Sequence, residues 1–82
     1  MEELKKAIRE ATITFGTEET VKKLKNGKVK KVFIASNSQE NTRKKIEYYT
    51  KIGKVELVKL DIPNDEIGLI CKKPFSISVL CY

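Results

Sequence analysis

The chain has 82 residues, enough for one domain spanning 1–82 with one core, and 40% of them are hydrophobic and 34% charged, a globular balance and not a disordered one. At this size folding hides only roughly 60% of the extended chain's surface, so stability rests on regular packing. No apolar run approaches the roughly 18 residues a membrane span needs, and Met1-Glu2-Glu3 lacks the cationic start of a secretory signal, so a soluble, cytoplasmic protein with no membrane partner is the expectation.

The formal charge of +6 is unevenly distributed. Residues 1–54 hold 14 Lys or Arg against 7 acids, whereas residues 55–82 hold 3 against 4. The densest stretch is Lys22, Lys23, Lys25, Lys28, Lys30 and Lys31, with a second cluster at Arg43, Lys44 and Lys45. A polyanion is one natural partner for such a surface. The alternative is a solvated, lysine-rich exterior of the kind heat-adapted proteins carry.

In chain order, Leu4, Ala7, Ile8 and Ala11 form an i, i+3, i+4, i+7 stripe, which predicts a helix over residues 2–11. Thr-Ile-Thr-Phe at 12–15 alternates like a strand and ends at Gly16. Thr17 is suited to cap a helix over 18–26 whose first turn holds Glu18 and Glu19, with Gly27 just beyond its end. Val32-Phe33-Ile34-Ala35 is the continuous apolar run of a central strand covered on both faces.

Asn37 with Glu40 resembles a capping pair, Ser38 being the alternative cap, for a helix to about residue 52 with Ile46 and Tyr49 inward and Gly53 as terminator. Residues 55–60 alternate again, Pro63-Asn64-Asp65 opens a short helix to about residue 71, and 77–82 reads as the last strand. Strands and helices at this spacing predict a three-layer α/β/α sandwich around a mixed sheet of about four strands.

The chemistry of catalysis is missing from the residue list. The chain contains no His, so neither a Ser-His nor a Cys-His nucleophile pair can be assembled, and its acids fall in no catalytic spacing. Cys71 and Cys81 alone cannot complete a four-ligand zinc site and are read as small apolar fillers. The glycines at 16, 27, 53 and 68 form neither a dinucleotide fingerprint nor a phosphate loop, and each is read as a turn or helix end. A noncatalytic protein without cofactor or metal is expected.

Several segments together resemble one family. They are Gly16 with Thr20-Val21-Lys22, Val32-Phe33-Ile34-Ala35-Ser36-Asn37, Ile46-Glu47-Tyr48-Tyr49, Glu66-Ile67-Gly68, and Phe75 before the last strand. In this order and spacing the chain is similar to the kink-turn RNA-binding family of ribosomal proteins, nearest its archaeal and eukaryotic large-subunit ribosomal protein thirty branch. The resemblance implies binding to a sharply bent RNA loop with tandem sheared G·A pairs, a place among ribosomal or other ribonucleoprotein components, and a monomer when free. Two alternatives stay open: a core protein of a small guide-RNA particle, and a protein-interaction adaptor on the same fold without RNA affinity.

The resemblance also implies roles for individual residues. Gly16 lets RNA approach the start of the second helix, where N–H groups and the dipole favour phosphate; its other reading is simply a strand end. Glu19 matches a carboxylate that accepts from a sheared guanine, and Thr17 and Glu18 lie in the same contact segment, although both acids also suit the helix dipole. Lys22 is placed to meet phosphates or to pair with Glu18. Asn37 matches a base-reading amide and is also a helix cap; Phe75 matches a stacking aromatic and is also a possible buried loop anchor. Lys72 and Lys73 beside it are placed for phosphates. Tyr48 and Tyr49 are family signatures assigned to packing.

Overall fold

The second strand expected from the apolar run lies inside the sheet. The computed structural model describes residues 2–10 and 13–82, with side chains described at 4–9 and 13–82. Its elements are α1 (Glu2–Glu10), β1 (Thr14–Phe15), α2 (Thr17–Lys25), β2 (Lys31–Ile34), α3 (Glu40–Gly53), β3 (Glu56–Lys59), α4 (Asn64–Ile70) and β4 (Val79–Cys81). The expected extensions of the first helix to Ala11 and of the first strand to Thr12 lie outside the described residues.

The four-stranded sheet has the order β1-β4-β2-β3. β2 and β3 are parallel, a pairing that needs a crossover and receives one in α3, while β4 runs antiparallel to both β2 and β1. The sheet is thus mixed, as expected.

Because successive side chains of a strand face opposite ways, β2 divides its residues between two cores. Phe33 and Ala35 join Leu4, Ala7, Ile67, Cys71 and Leu80 under α1 and α4. Val32 and Ile34 join Val21, Leu24, Ile46, Val79 and Cys81 under α2 and α3. The register Val32 to Cys81, Phe33 to Leu80 and Ile34 to Val79 makes β4 contribute to the same two cores in alternation. A one-residue slip would exchange every one of these faces. The result is the expected three-layer arrangement.

The two thiols are free, buried and assigned to different cores, one on each side of the sheet. Burial pushes both thiols above their ordinary pKa, outweighing the opposing influence of Lys73 on Cys71, and that of Thr20, Lys23 and Thr14 on Cys81. They act as small core residues.

Several local expectations are corrected. Thr17 does not cap α2: Gly16 occupies the cap position with no side-chain cap bond, and its carbonyl accepts from the Thr20 N–H at 3.1 Å, so Thr17 is already helical. Neither Asn37 nor Ser38 caps α3, whose cap position is Gln39; both side chains are engaged with other loops instead. Gly53 is the last helical residue of α3 and not its terminator, because Lys54 takes the left-handed conformation at φ 55.

Gly68 is likewise no helix end but lies buried within α4. A Cβ there would fall against the backbone carbonyl of Phe75, so the absence of a side chain is what lets α4 and the loop before β4 touch. The two helical glycines should therefore respond oppositely to alanine. Gly53→Ala meets only Val55 Cγ2, at an ordinary 3.4 Å, and is expected to raise stability by about 0.5–1 kcal/mol. Gly68→Ala is expected to lower it by about 2 kcal/mol or more through overpacking against backbone. Urea denaturation of the two variants beside wild type measures both; a neutral Gly68→Ala would show that the loop is free to withdraw.

Candidate nucleic-acid interface

With β1, β2 and β3 all running in one direction, their C-terminal ends and the N-terminal end of β4 meet at a single edge of the sheet. The helices that follow those three strands, α2, α3 and α4, all start there. Each brings the positive end of its dipole to the same edge, and at α2 and α3 the cap residues make no side-chain cap bond to the first-turn N–H groups.

Gly16 leaves the outermost strand, β1, at this edge at φ 101 and ψ 152, a conformation essentially confined to glycine. Its own N–H is not available to a ligand, since it donates to the Val79 carbonyl at 2.9 Å. Nothing lies within 4 Å of where a Cβ would stand, so the surface above Gly16 is open. Gly16 and Thr17 form one side of a groove of about 400 Å³, and Phe75, Ser76 and Ser78 line it as well. Phe75 is 54% exposed, which overturns the reading of a buried anchor. Its backbone carbonyl meanwhile lies against Gly68 of α4, so the residue touches the helix through its main chain while its ring is exposed.

Asn37 reaches this edge from the β2–α3 loop. Its Oδ1 accepts from the Asn64 backbone N–H at 2.9 Å and its Nδ2 donates to Asn64 Oδ1 at 3.3 Å. Asn64 Nδ2 in turn donates to Ser78 Oγ at 3.2 Å, and Ser38 Oγ donates to the Ser78 carbonyl at 3.3 Å. Asn37 thus caps α4 from a distant loop instead of capping its own helix. Asn64 and Ser78 are members of this arrangement that sequence reasoning missed; Asn64 had been read only as part of a helix start, and no local pattern signals the pairing.

Glu18 and Glu19 are exposed on the first turn of α2. Lys22 pairs with Glu19 at 3.6 Å and not with Glu18, an exposed i,i+3 contact that leaves both groups accessible. Lys73 stands over the Phe15 ring, 5.1 Å from its centroid, and also lines a groove with Phe75. Lys72 is set apart from its neighbour: it adopts φ 57 and lines a different groove with Lys5, Ile8, Arg9, Ile70 and Cys71.

The densest lysine run lies mostly away from this edge. α2 leaves the edge and extends about 13 Å, so Lys23 and Lys25 near its end, and Lys28, Lys30 and Lys31 at the entry to β2, belong to the opposite end of the sheet. Lys25 lies over the Tyr49 ring at 5.3 Å, and Lys31 pairs with Glu56 at 3.1 Å. Tyr49 packs on the second core as expected, whereas Tyr48, also expected in the packing, is 60% exposed and makes a T-shaped ring contact with Tyr49 at 5.1 Å between centroids.

Comparison with known proteins decides the family. The sequence matches the Ribosomal protein L7Ae/L30e/S12e/Gadd45 family over residues 1–82. The chain belongs to this family. It is 37% identical over 78 residues to the large ribosomal subunit protein eL30 of Sulfurisphaera tokodaii, covering 95% of this chain and 74% of that protein. It is 34% identical over 74 residues to the eL30 proteins of Methanococcus vannielii and Methanothermobacter thermautotrophicus, covering 90% of this chain and 70% and 76% of theirs. The fold of this family member is shared by a protein of unknown function from Bacillus halodurans, with a TM-score of 0.83 at 23% identity, over 95% of this chain and 77% of that one. These relatives are ribosomal proteins, in agreement with the noncatalytic chain expected from the sequence.

The edge residues separate into those that the backbone requires and those that it does not. Gly16→Ala is expected to cost about 1–3 kcal/mol of stability from backbone strain alone. Phe75→Ala is expected to stay within about 0.5 kcal/mol of wild type, as surface substitutions do. Thermal and chemical denaturation measure both, and a large loss on Phe75→Ala would place the ring's contribution in the fold.

Proposed function

We propose that this protein is a noncatalytic RNA-binding component of the large ribosomal subunit, located with the ribosome in the cytoplasm, that holds a kink-turn or related internal loop with sheared G·A pairs in its bent form. The observation that carries this reading is the meeting of Gly16, Thr17 and Phe75 around one open groove, with Asn37 anchored at the same edge. The eL30 names of its relatives support the ribosomal assignment. The reading treats residues 1–82 as one domain, a monomer when free.

In this reading each group has a distinct task. Backbone N–H groups at the start of α2 receive a phosphate brought close by the open surface over Gly16. Phe75 offers a ring face to an unpaired base, a contact worth about 1–3 kcal/mol. Glu19 accepts from a guanine edge, while Lys22 beside it and Lys73 offset its charge toward the backbone. Glu18 and Thr17 border this contact, and Lys72 addresses phosphate from its separate groove. The protein favours the bent RNA by binding it more tightly than the extended form.

The test is a titration with a kink-turn RNA carrying tandem G·A pairs, beside a control with those pairs changed to Watson–Crick, across a salt series. Preference for the kink-turn is expected to persist as salt weakens the phosphate contribution. Glu19→Ala is expected to reduce binding to the kink-turn by about 10-fold, the size of a charge-assisted hydrogen bond, with little change on duplex. Equal binding of both RNAs that vanishes together with salt would reject the reading and favour a protein-interaction adaptor.

A further inference from the structure

An asparagine amide has one end that donates and one that accepts, and its shape does not say which is which. At this edge the chemistry decides. The Asn64 backbone N–H can only donate, so the Asn37 atom 2.9 Å from it must be Oδ1. That turns Asn37 Nδ2 toward Asn64 Oδ1 at 3.3 Å, which in turn points Asn64 Nδ2 at Ser78 Oγ at 3.2 Å. One backbone donor therefore orients two amides in sequence.

Asn64 also binds the opposite loop through its backbone, its carbonyl accepting from the Ile77 N–H at 3.0 Å. Every polar group of Asn64 is thus engaged, either with Asn37 or with the segment 77–78 that follows Phe75. Both amides keep a second Nδ2–H and a second lone pair of Oδ1, but of the two it is Asn37 whose side chain is exposed, while Asn64 is half-buried.

We infer that Asn64 is a positioning residue for RNA reading: its backbone N–H sets which end of the Asn37 amide faces it, and its side chain clamps the other end and ties it to the loop carrying Phe75, so that amide and ring meet the RNA as a preset pair. The inference rests on the RNA-binding reading above. Its benefit is preorganisation, since an amide already oriented loses less freedom on binding.

Asn64→Ala is the informative variant because it keeps the backbone N–H and carbonyl, and with them the links to Asn37 Oδ1 and Ile77. It removes only the ties to Asn37 Nδ2 and Ser78 Oγ. Affinity for the G·A kink-turn RNA is measured for wild type, Asn64→Ala, Asn37→Ala and the double variant, with the side-chain amide signals of Asn37 followed by ¹⁵N NMR in the free protein.

Asn64→Ala is expected to weaken binding about 3- to 10-fold, the scale of one hydrogen bond, with the salt slope unchanged because no phosphate contact is lost. In the Asn37→Ala background the same change is expected to cost less than about 2-fold, the signature of coupled residues. In the free protein it is expected to displace the Asn37 amide signals. Equal losses in both backgrounds would make Asn64 a direct contact or a general fold residue, and unmoved amide signals would show that it does not orient Asn37; either overturns the inference. A wild-type chain that binds kink-turn and control RNA alike would sink the RNA reading itself, and the inference with it, even where the amide signals move.

Discussion

The pairing of β2 with β3 on one side and β4 on the other is the constraint on which the rest of the structure depends. Four consecutive buried residues, Val32, Phe33, Ile34 and Ala35, supply both cores from one short segment. A one-residue slip from the observed register would move Phe33 out of the α1/α4 layer and Val32 and Ile34 out of the α2/α3 layer. The same register determines where the strand ends, and hence where Ser36 and Asn37 emerge. Position at the edge is thus a consequence of core packing.

Backbone hydrogen bonds then carry that placement from loop to loop. Gly16 N–H donates to Val79, Ala35 N–H to Ser78 and Ser36 N–H to Ile62, which connects the exits of β1, β2 and β3 with the entry to β4. These bonds consume main-chain donors that would otherwise face the groove, leaving side chains and the first turns of the helices as the chemically available surface. The Gly68 contact with the Phe75 carbonyl works in the same direction. It brings the backbone of that loop against α4, where the Phe75 ring is exposed.

The layered fold was legible in the sequence because it depends on patterns local to each element. The apolar run of β2, the stripe of α1 and the Gly after Phe15 each signal their role within a few residues. What was not legible depended on contacts between distant segments. Asn37 and Asn64 are 27 positions apart, and only the sheet order brings them together. Local chemistry instead suggested that Asn37 caps the adjacent α3. The same limit explains Gly68, whose neighbour in space is Phe75, and the Lys54 left-handed turn, where the available Gly53 is used one position early. Of the nine residues predicted to contact RNA, Gly16, Thr17 and Phe75 line one groove, while Lys72 lies in another.

Charge and geometry turn out to be divided between different parts of the molecule. The groove edge displays glycine, hydroxyl, amide, ring and two acids, with Lys22 and Lys73 nearby, whereas the lysines from 23 to 31 cluster toward the opposite end of the sheet. In protein–nucleic acid recognition, phosphate contacts supply affinity and position, and base contacts supply discrimination. On the proposed reading this division lets the two be tuned apart. Salt screens the lysines over a distance of roughly 8–10 Å under ordinary conditions, lowering affinity for any RNA. Stacking on Phe75 and the hydrogen bonds of Asn37 lie at short range and are far less sensitive to it. Selectivity for a bent loop then comes from the shape and hydrogen-bonding order of one edge, which the core register sets, and not from the basic composition that first suggests a polyanion.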